Sequence, residues 1–416
     1  MPSDLNAVYA RVLNAIPVAR TDMVRSVLTS LITAMRPLSL KEIAEVAVLR
    51  QGVSTMDENA RLLMPHEVID ICQGLMEYEG KATDSANDIS DTVTLAHSSV
   101  RAFLTSHTET SWYNLDILHS HGEVAKKCLQ YLLFDNFKVG FADNAAFKTL
   151  HEQFPLLDYA AQHWPMHAKL SRQPELWLPE AKDFCSTFSQ AEGANFTFWV
   201  QCLMPKSSKL AITRTEPLYY ASSFNLMELV TELLASGANV EARGGRAAST
   251  ALHVACHRGH IDIARVLLEN GANLDYSDAY GVTPLYWAAV NRRKDIVELL
   301  ENLSWKGSRR GRPSTVSGYK GDYASLAAES WRLVGIYDPG ESRQKHGVES
   351  EHVFIVHGDA DEWVCCECDA GCTLASEGRC MICLHAQCGH CILPKPEDIE
   401  RSRLAVSSHH LGTFVA

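Results

Sequence analysis

The sequence lacks the long apolar segments of a membrane protein and is short of positive charge. No apolar run in its 416 residues approaches the roughly 18–20 residues that cross a bilayer. The N-terminus has neither a basic region nor an apolar core, so we expect no secretory signal and an intracellular protein. Lysine and arginine number 38 against 50 acidic residues, and this net charge of −12 disfavours binding to nucleic acid.

Several signatures of enzymes are also missing. There is no Gly-x-x-x-x-Gly-Lys-Ser/Thr phosphate loop, because Gly80-Lys81 lacks the upstream glycine, so no nucleotide is expected to bind. Neither Gly-x-Ser-x-Gly nor His-Glu-x-x-His occurs. His163 and His167 are four residues apart, a spacing that can hold a metal ion on one helix face. The competing interpretation is a solvated or core-edge pair.

The 13 cysteines fall into two groups. Five are scattered and are predicted to be small buried hydrophobic residues: Cys72, Cys128, Cys185, Cys202 and Cys256. The other eight lie between Cys365 and Cys391. In a reducing compartment such a cluster indicates a metal site rather than a disulfide framework.

Within the cluster, two Cys-x-x-Cys pairs can supply four thiolates to one tetrahedral zinc ion. The predicted primary ligands are Cys365, Cys368, Cys380 and Cys383. A second site can form from His385, Cys388 and Cys391 together with Cys366 or Cys372. Alternatively, Cys388 and Cys391 pair with Cys365 and Cys368 as a zinc ribbon. The opening Trp-x-Cys-x-x-Cys resembles Ran-binding-protein-type zinc fingers, and the whole cluster is similar to cysteine-rich tails of fungal proteins.

The same cluster is similar to the first two-thirds of a RING finger, the module of many ubiquitin ligases. That similarity is carried by Cys365-x-x-Cys368 and by Cys383-x-His385-x-x-Cys388-x-x-Cys391. A RING needs a further Cys-x-x-Cys, and after Cys391 only His409 and His410 remain as ligand types of this class. A degenerate RING-like ligase is therefore the alternative function to a non-enzymatic protein.

An internal repeat organises the middle of the chain. Three segments superpose at spacings of 34 and 33 residues: Glu216–Ala221, Thr250–Ala255 and Thr283–Ala288. Thr followed by Pro or a small residue opens a helix, with Thr as N-cap. The triplet Gly-Ala-Asn recurs at 237 and 271, where glycine favours the end of a second helix.

These segments resemble the ankyrin repeat, with the middle copy matching best. The third copy is degenerate, because Arg292-Arg293 replaces Gly-His and Ser304-Trp305 replaces Gly-Ala-Asn. In this repeat the Leu, Ala and Gly positions serve stacking, so recognition of a protein partner falls to turn tips and exposed faces of the first helices. The predicted partner-binding residues are Phe224, Arg246, His257, Arg258, Tyr280 and Asn291.

The N-terminal region has the pattern of amphipathic helices. Ser39 and Glu42 form a capping box before an apolar run, and Val93–His97 is predicted to be a strand that leads into a helix at 99–104. In this order the motifs resemble the winged helix that follows the nucleotide-binding module of fungal NACHT–ankyrin proteins, also described as GPI-inositol-deacylase-type. The resemblance covers residues 5–170 and implies no catalytic residue. The chain looks like the C-terminal part of such a protein without the nucleotide-binding module.

The predicted fold is mainly α: a winged-helix-like region, a short ankyrin stack and a small zinc-stabilised module. The expected ranges are 1–110 for the winged-helix-like region, 111–205 for further helices, 206–304 for about three repeats, 305–350 for a flexible linker, 351–395 for the zinc-finger-like module and 396–416 for a tail. We expect a scaffold or adaptor in the cytoplasm. The basic run 306–312 is compatible with a nuclear-import signal or a solvated loop, and a nuclear DNA-binding regulator is a further alternative.

Overall fold

A computed structural model describes residues 3–50, 52–56, 66–72, 74–81, 90–106, 111–245, 247–279, 282–307, 362–364 and 371–373. The chain divides into two compact units, Met1–Pro217 and Leu218–Ala416. The described residues of both units are mainly helical, as the sequence predicts. Among the described residues, no helix combines the length and the apolar character needed to cross a membrane.

The first unit begins with short helices and a small sheet. Its first elements are α1 (Ser3–Asn14), α2 (Val18–Thr33), β1 (Leu38–Ser39), α3 (Leu40–Val48), α4 (Glu67–Ile71), β2 (Met76–Lys81), β3 (Ser90–Leu95) and α5 (Ser98–Leu104). The three strands form an antiparallel sheet in the order β1-β3-β2, with Leu38 opposite Val93. Leu38, Met76 and Val93 are buried, so one face of the sheet covers the core against α2 and α3.

The capping box predicted at the start of α3 is confirmed. The Ser39 hydroxyl accepts from the Glu42 backbone N–H at 3.2 Å, and Glu42 Oε2 accepts from the Ser39 N–H at 2.7 Å. Arg36 donates to the same carboxylate at 2.6 and 3.0 Å. Because the Glu42 side chain is almost fully buried, this cation also balances its charge.

Further helices complete the first unit. They are α6 (Ile117–Leu132), α7 (Asn144–Gln153), α8 (Leu157–Leu170), α9 (Leu178–Ser186), α10 (Ala194–Leu203) and α11 (Lys209–Arg214). Helices α6 and α8 pack along each other, and aromatic residues fill the core beside them. Trp199 packs against Phe184 and Trp164, and its indole N–H donates to the Ala161 carbonyl at 2.8 Å. Large aromatic side chains thus contribute much of the apolar area that this unit buries.

A buried carboxylate joins three elements of this unit. Glu45 of α3 accepts from the Tyr131 hydroxyl of α6 and, at 3.2 Å, from the Leu156 backbone N–H at the start of α8. Glu45 is 4% exposed. Since a buried carboxylate is costly without donors, these bonds fix how α3, α6 and α8 meet.

The scattered cysteines match the sequence prediction in part. Cys72, Cys128, Cys185 and Cys256 are buried free thiols, whereas Cys202 is half-buried. Burial raises the pKa of the first three to about 12 and raises that of Cys256 as well. They therefore act as apolar core residues rather than as reactive thiolates.

A buried histidine pair connects α6 and α8. His121 Nδ1 lies 2.9 Å from His167 Nδ1, and the Tyr159 hydroxyl lies 2.9 Å from His167 Nε2. His163 and His167, which the spacing made candidate metal ligands, are 5% and 0% exposed, so they are neither solvated nor at the core edge. Within the described ranges, no group of three or more metal-binding side chains is present.

The second unit contains the repeats. Its elements are α12 (Pro217–Ser223), α13 (Met227–Ala235), α14 (Ala251–Arg258), α15 (Ile261–Glu269), α16 (Pro284–Val290), α17 (Lys294–Gly307), β4 (Glu362–Val364) and β5 (Gly371–Thr373). Thr283 caps α16 as predicted, with its hydroxyl accepting from the Tyr286 N–H at 3.4 Å. Thr250 caps α14 in a capping box with His253.

Left-handed residues end the helices of the repeats. Gly237 and Gly271 have φ of +85° and +91°, which confirms them as helix ends. The first helices end in the same way, at Asn225, Gly259 and Arg292. In each of these three turns, a backbone N–H beyond the left-handed residue bonds back to the helix, for example Ala288 O to Arg293 N at 2.9 Å.

The last helix of the repeats is longer than its counterparts. Helix α17 has 14 residues, whereas α13 and α15 have 9 each. The chain has no glycine where 237 and 271 end the earlier helices, so nothing stops the helix there. It continues to Gly307, three residues into the predicted linker.

The first prediction from the fold concerns Gly259, beside which the Arg293 side chain passes. A Cβ at Gly259 would lie 2.9 Å from Arg293 Cδ, whereas a Cβ at Gly237 would meet nothing within 4 Å. Gly237→Ala should cost about 1 kcal/mol, from the left-handed backbone alone. Gly259→Ala should cost about 1 kcal/mol more, because Arg293 has to move. Urea unfolding of the full chain measures both values.

A double-mutant cycle isolates the contact. In an Arg293→Ala background, the cost of Gly259→Ala should fall to that of Gly237→Ala. An unchanged cost would show that the contact between these two residues is not the cause.

The second prediction concerns pH. Burial, together with Arg101, lowers the pKa of His121 to about 4, and burial beside His121 and His163 lowers the pKa of His167 well below its usual value. The unfolded chain therefore binds more protons than the folded one between about pH 6.5 and pH 4. The free energy of unfolding should fall by about 1–3 kcal/mol as the pH decreases through this range.

Urea midpoints at several pH values test this expectation. The variant His121→Gln should flatten the pH dependence of stability. The control His66→Gln, which removes an exposed imidazole, should leave it unchanged. Equal slopes for His121→Gln and the unsubstituted chain would contradict the assignment.

Candidate protein-binding surface

Equivalent residues lie at the C-terminal ends of the first helices of the three repeats. They are Phe224, Arg258 and Asn291, which are 34 and 33 residues apart. Arg258 is the last residue of α14, whereas Phe224 and Asn291 directly follow α12 and α16. Side-chain bonds hold adjacent ends together. His260 Nε2 donates to the Ser223 carbonyl at 3.1 Å, joining the first two repeats. The three residues therefore form one column along the stack, which we call the helix-end column.

The side chains of this column are already partly used within the repeats. Phe224 stacks on Tyr220 with ring centroids 6.1 Å apart, and Asn291 Nδ2 donates to the Trp287 carbonyl at 2.8 Å. His257, the residue before Arg258, makes an edge-to-face contact with the Trp287 ring. All four predicted residues in the described part of the chain are half-buried, including Arg258. A partner would meet ordered side chains rather than mobile ones, which lowers the entropy cost of binding.

Arg258 is the member of this column with unused bonding capacity. Its Nε and Nη1 atoms are buried and have no hydrogen-bond partner among the described residues. A guanidinium whose donors are buried without acceptors is unfavourable until an acceptor arrives. This side chain is therefore suited to bind an oxygen acceptor of a partner.

In sequence, Arg292-Arg293 after α16 replaces the Gly259-His260 of the middle repeat. The structure shows that Arg293 keeps the role of the histidine, because its Nε donates to the His257 carbonyl at 3.3 Å, as His260 donates to Ser223. Arg292 adopts φ of +55°, where the earlier repeats have Asn225 and Gly259. The pair thus preserves the stacking bond and adds two cations beside the helix-end column.

The loops before the first helices are also joined between repeats. Arg243 donates to the Ser277 carbonyl at 3.1 Å and lies over the Tyr276 ring, and the Ala279 N–H donates to the Ala247 carbonyl at 2.8 Å. Two predicted partner-binding residues, Arg246 and Tyr280, belong to these loops but lie outside the described residues. Their described neighbours are held by backbone bonds.

Two buried side chains of the repeats were missed by the sequence analysis. Asp278 accepts from the Trp287 indole at 2.9 Å and from the Val282 N–H at 3.1 Å. His253 donates from Nε2 to the Val282 carbonyl at 3.0 Å, and burial lowers its pKa. These three bonds hold the loop before α16 against its neighbours, so they position the candidate surface from within the repeats. The available signal for His253 was its position three residues after the N-cap Thr250, where a side chain can complete a capping box.

The predicted zinc ligands lie outside the described residues: Cys365, Cys368, Cys380, Cys383, His385, Cys388 and Cys391. Next to them, β4 and β5 pair antiparallel, with Trp363 opposite Cys372. The first Cys-x-x-Cys lies, in sequence, between these two strands. The zinc site therefore stays a prediction.

Comparison with known proteins bears on the repeats and on part of the first unit. A family model described as ankyrin repeats matches three copies at residues 218–304. The azaphilone pigments biosynthesis cluster protein L of Monascus ruber is 27% identical over 296 residues, which is 66% of this chain and 60% of that protein. This similarity is longer than the repeat segment and extends beyond it.

Two further relatives match over shorter stretches. The ankyrin repeat and SOCS box protein 16 of Mus musculus is 40% identical over 90 residues, 21% of this chain and 18% of that protein. The E3 ubiquitin-protein ligase KEG of Arabidopsis thaliana is 30% identical over 147 residues, 33% of this chain and 9% of the ligase. The chain thus spans at most about 60% of the length of these relatives. Together with the geometry of the helix pairs, the family match shows that residues 218–304 are ankyrin repeats.

Proposed function

We propose that this chain is a non-enzymatic scaffold or adaptor that binds a protein partner through the surface of its ankyrin repeats. The observation that carries the proposal is the helix-end column, in which an aromatic, an arginine and an amide side chain follow one another along a stack of ankyrin repeats. Aromatic residues and arginine are the types that most often carry binding energy in interfaces.

The first unit is proposed to contain a winged-helix-like module that serves as a packing element. The order of its elements supports this: helix α2, strand β1, helices α3 and α4, then β2 and β3 in one antiparallel sheet. The net charge of −12 disfavours a duplex-binding role for this module, so neither DNA nor nucleotide is proposed as its ligand.

The C-terminal region is proposed to bind zinc as a structural ion. The support is the ligand spacing together with the β4–β5 pair, because a Cys-x-x-Cys between two short paired strands suits a compact zinc-binding turn. Zinc would fold this region rather than take part in catalysis.

The third prediction tests the partner-binding surface. Full-length protein with Arg258→Ala and Tyr280→Ala should capture at least about tenfold less of its partner in a pull-down quantified by mass spectrometry, since interface hot spots cost about 2 kcal/mol or more. The melting temperature should fall by no more than about 1–2 °C. The matched control is Glu228→Ala with Arg265→Ala, two exposed residues on the second helices, which should leave capture unchanged.

Deletion of residues 351–416 tests whether the cysteine-rich region binds the partner instead. If capture survives the double substitution but is lost with this deletion, the cysteine-rich region is the recognition module and the ankyrin assignment is wrong.

The fourth prediction concerns the metal. Purified full-length protein should contain one or two zinc ions per chain by elemental analysis. Cys368→Ser should lower the zinc content and increase proteolysis after about residue 350, because metal binding and folding are coupled. The matched control is Cys202→Ser, a half-buried thiol of the first unit, which should leave the zinc content unchanged. Zinc-free protein with a protease-resistant C-terminal region would contradict the proposal.

A further inference from the structure

We propose that Arg258, Arg292 and Arg293, here called the arginine edge, bind an acidic, carboxylate-rich segment of the protein partner. This inference rests on the proposed function and specifies the chemistry of the partner. It draws on three independent observations: the local charge, the bonding state of Arg258, and the backbone conformation of Arg292.

The charge of the arginine edge is opposite to that of the whole chain. Residues 251–261 and 284–294, which contain the first helices of the second and third repeats and the turns after them, include no aspartate or glutamate. They contain four lysine or arginine residues: Arg258, Arg292, Arg293 and Lys294. The nearest acidic residues in sequence are Asp262 and Asp295, the exposed second residues of α15 and α17. In a chain with a net charge of −12, this edge is a local cationic surface.

Arg258 has hydrogen-bond donors that the repeats do not use. Its Nε and Nη1 are buried without a hydrogen-bond partner among the described residues, although the residue as a whole is half-buried. Since these donors have no acceptor to give up, the guanidinium can rotate outward onto a carboxylate without breaking a hydrogen bond to a described residue. The charge-assisted bond formed there then satisfies donors that are otherwise unpaired.

Arg292 occupies a conformation that does not suit it. Its φ of +55° lies in the left-handed region, at the position where the other repeats have Asn225 and Gly259. Glycine and asparagine adopt this conformation at lower cost than arginine. A strained residue whose side chain is exposed supports a role for that side chain rather than for the turn.

Arg293 is ordered beside these two residues. Its Nε donates to the His257 carbonyl, and the carbon of its guanidinium passes 3.2 Å from where a Gly259 Cβ would lie. This bond orients the guanidinium across the end of α14, next to Arg258. The terminal nitrogens of Arg293 can then bind a second carboxylate of the same segment.

An acidic peptide fits these observations better than nucleic acid does. Four cations are few for a site that follows a phosphate backbone, and the rest of the chain would repel it. The repulsion is screened beyond about 8–10 Å at physiological salt, so the distant negative charge of the chain has little effect on a short acidic segment. Such a segment meets the nearby charges, which include Asp262 and Asp295 as well as the four cations.

The fifth prediction tests the arginine edge directly. The probes are two fluorescein-labelled 15-residue peptides, five repeats of Glu-Gly-Ser and the matching five repeats of Gln-Gly-Ser, titrated with full-length protein by fluorescence anisotropy. The Glu peptide should bind at least about tenfold more tightly than the Gln peptide. Its affinity should decrease as sodium chloride rises from 50 to 300 mM.

Charge-neutralising variants locate the site. Arg258→Gln with Arg292→Gly should weaken binding of the Glu peptide at least about tenfold. The control Arg265→Gln, which removes an exposed arginine of α15, should change it less than twofold. Equal affinity for both peptides, equal effects of the two variants, or tighter binding of a 15-nucleotide DNA strand than of the Glu peptide would each overturn the inference.

Arg292→Gly separates binding from a structural role. Cations near a helix C-terminus stabilise the helix dipole, so a purely structural Arg292 predicts a lower melting temperature for this variant. The inference predicts weaker Glu-peptide binding with a melting temperature that is unchanged or higher, because glycine relieves the left-handed strain. A lower melting temperature with unchanged peptide affinity would contradict it.

The two proposals can fail separately. If the Arg258/Tyr280 variant loses its partner but the Glu and Gln peptides bind alike, the ankyrin surface binds a partner that is not acidic, and only the inference fails. If the Glu peptide binds at the arginine edge but partner capture depends on residues 351–416 alone, the proposed function fails and the edge remains an acidic-peptide site.

Discussion

Stacking of the helix pairs is the constraint on which the repeat unit depends. A single pair of short helices cannot bury its apolar face, so each repeat has to be covered by the next. The contact is close because a small residue recurs at the same position: Ala221, Ala255 and Ala288 are 2%, 0% and 0% exposed. Leu252 is fully buried in the middle repeat, whereas Leu285 of the third is half-buried. No further repeat follows α16 and α17 within the described ranges.

Stacking also explains the position of the proposed binding surface. The apolar positions are occupied by neighbouring repeats, and the helix ends are fixed by bonds from His260 and Arg293 to the preceding repeat. The row of residues at the helix ends is not covered by this stacking and is the surface that we propose for a partner. The same bonds order these side chains before a partner arrives, which favours binding by lowering its entropy cost.

The first unit depends on a different balance, because it buries several polar groups in an aromatic-rich core. Glu45 with Tyr131 and His121 with His167 each join helices distant in sequence. Such groups are tolerated only when they are paired, so each pair constrains how its helices meet. The histidine pair also makes the stability of this unit depend on pH, mainly because burial lowers the pKa of both imidazoles.

The sequence by itself determined the local elements, because their signals are local. The repeat spacing, the caps at Ser39 and Thr283 and the glycines 237 and 271 each depend on a few neighbouring residues, and the structure confirms them. Tertiary structure alone decided what the polar side chains do. In sequence, Arg293 stands where the middle repeat has a histidine, yet its side chain donates to the preceding repeat as that histidine does. The spacing of His163 and His167 made His167 a candidate metal ligand, yet it hydrogen-bonds to His121, which lies 46 residues away in sequence. Partners so distant in sequence are brought together only by packing, and no pattern within one segment can identify them.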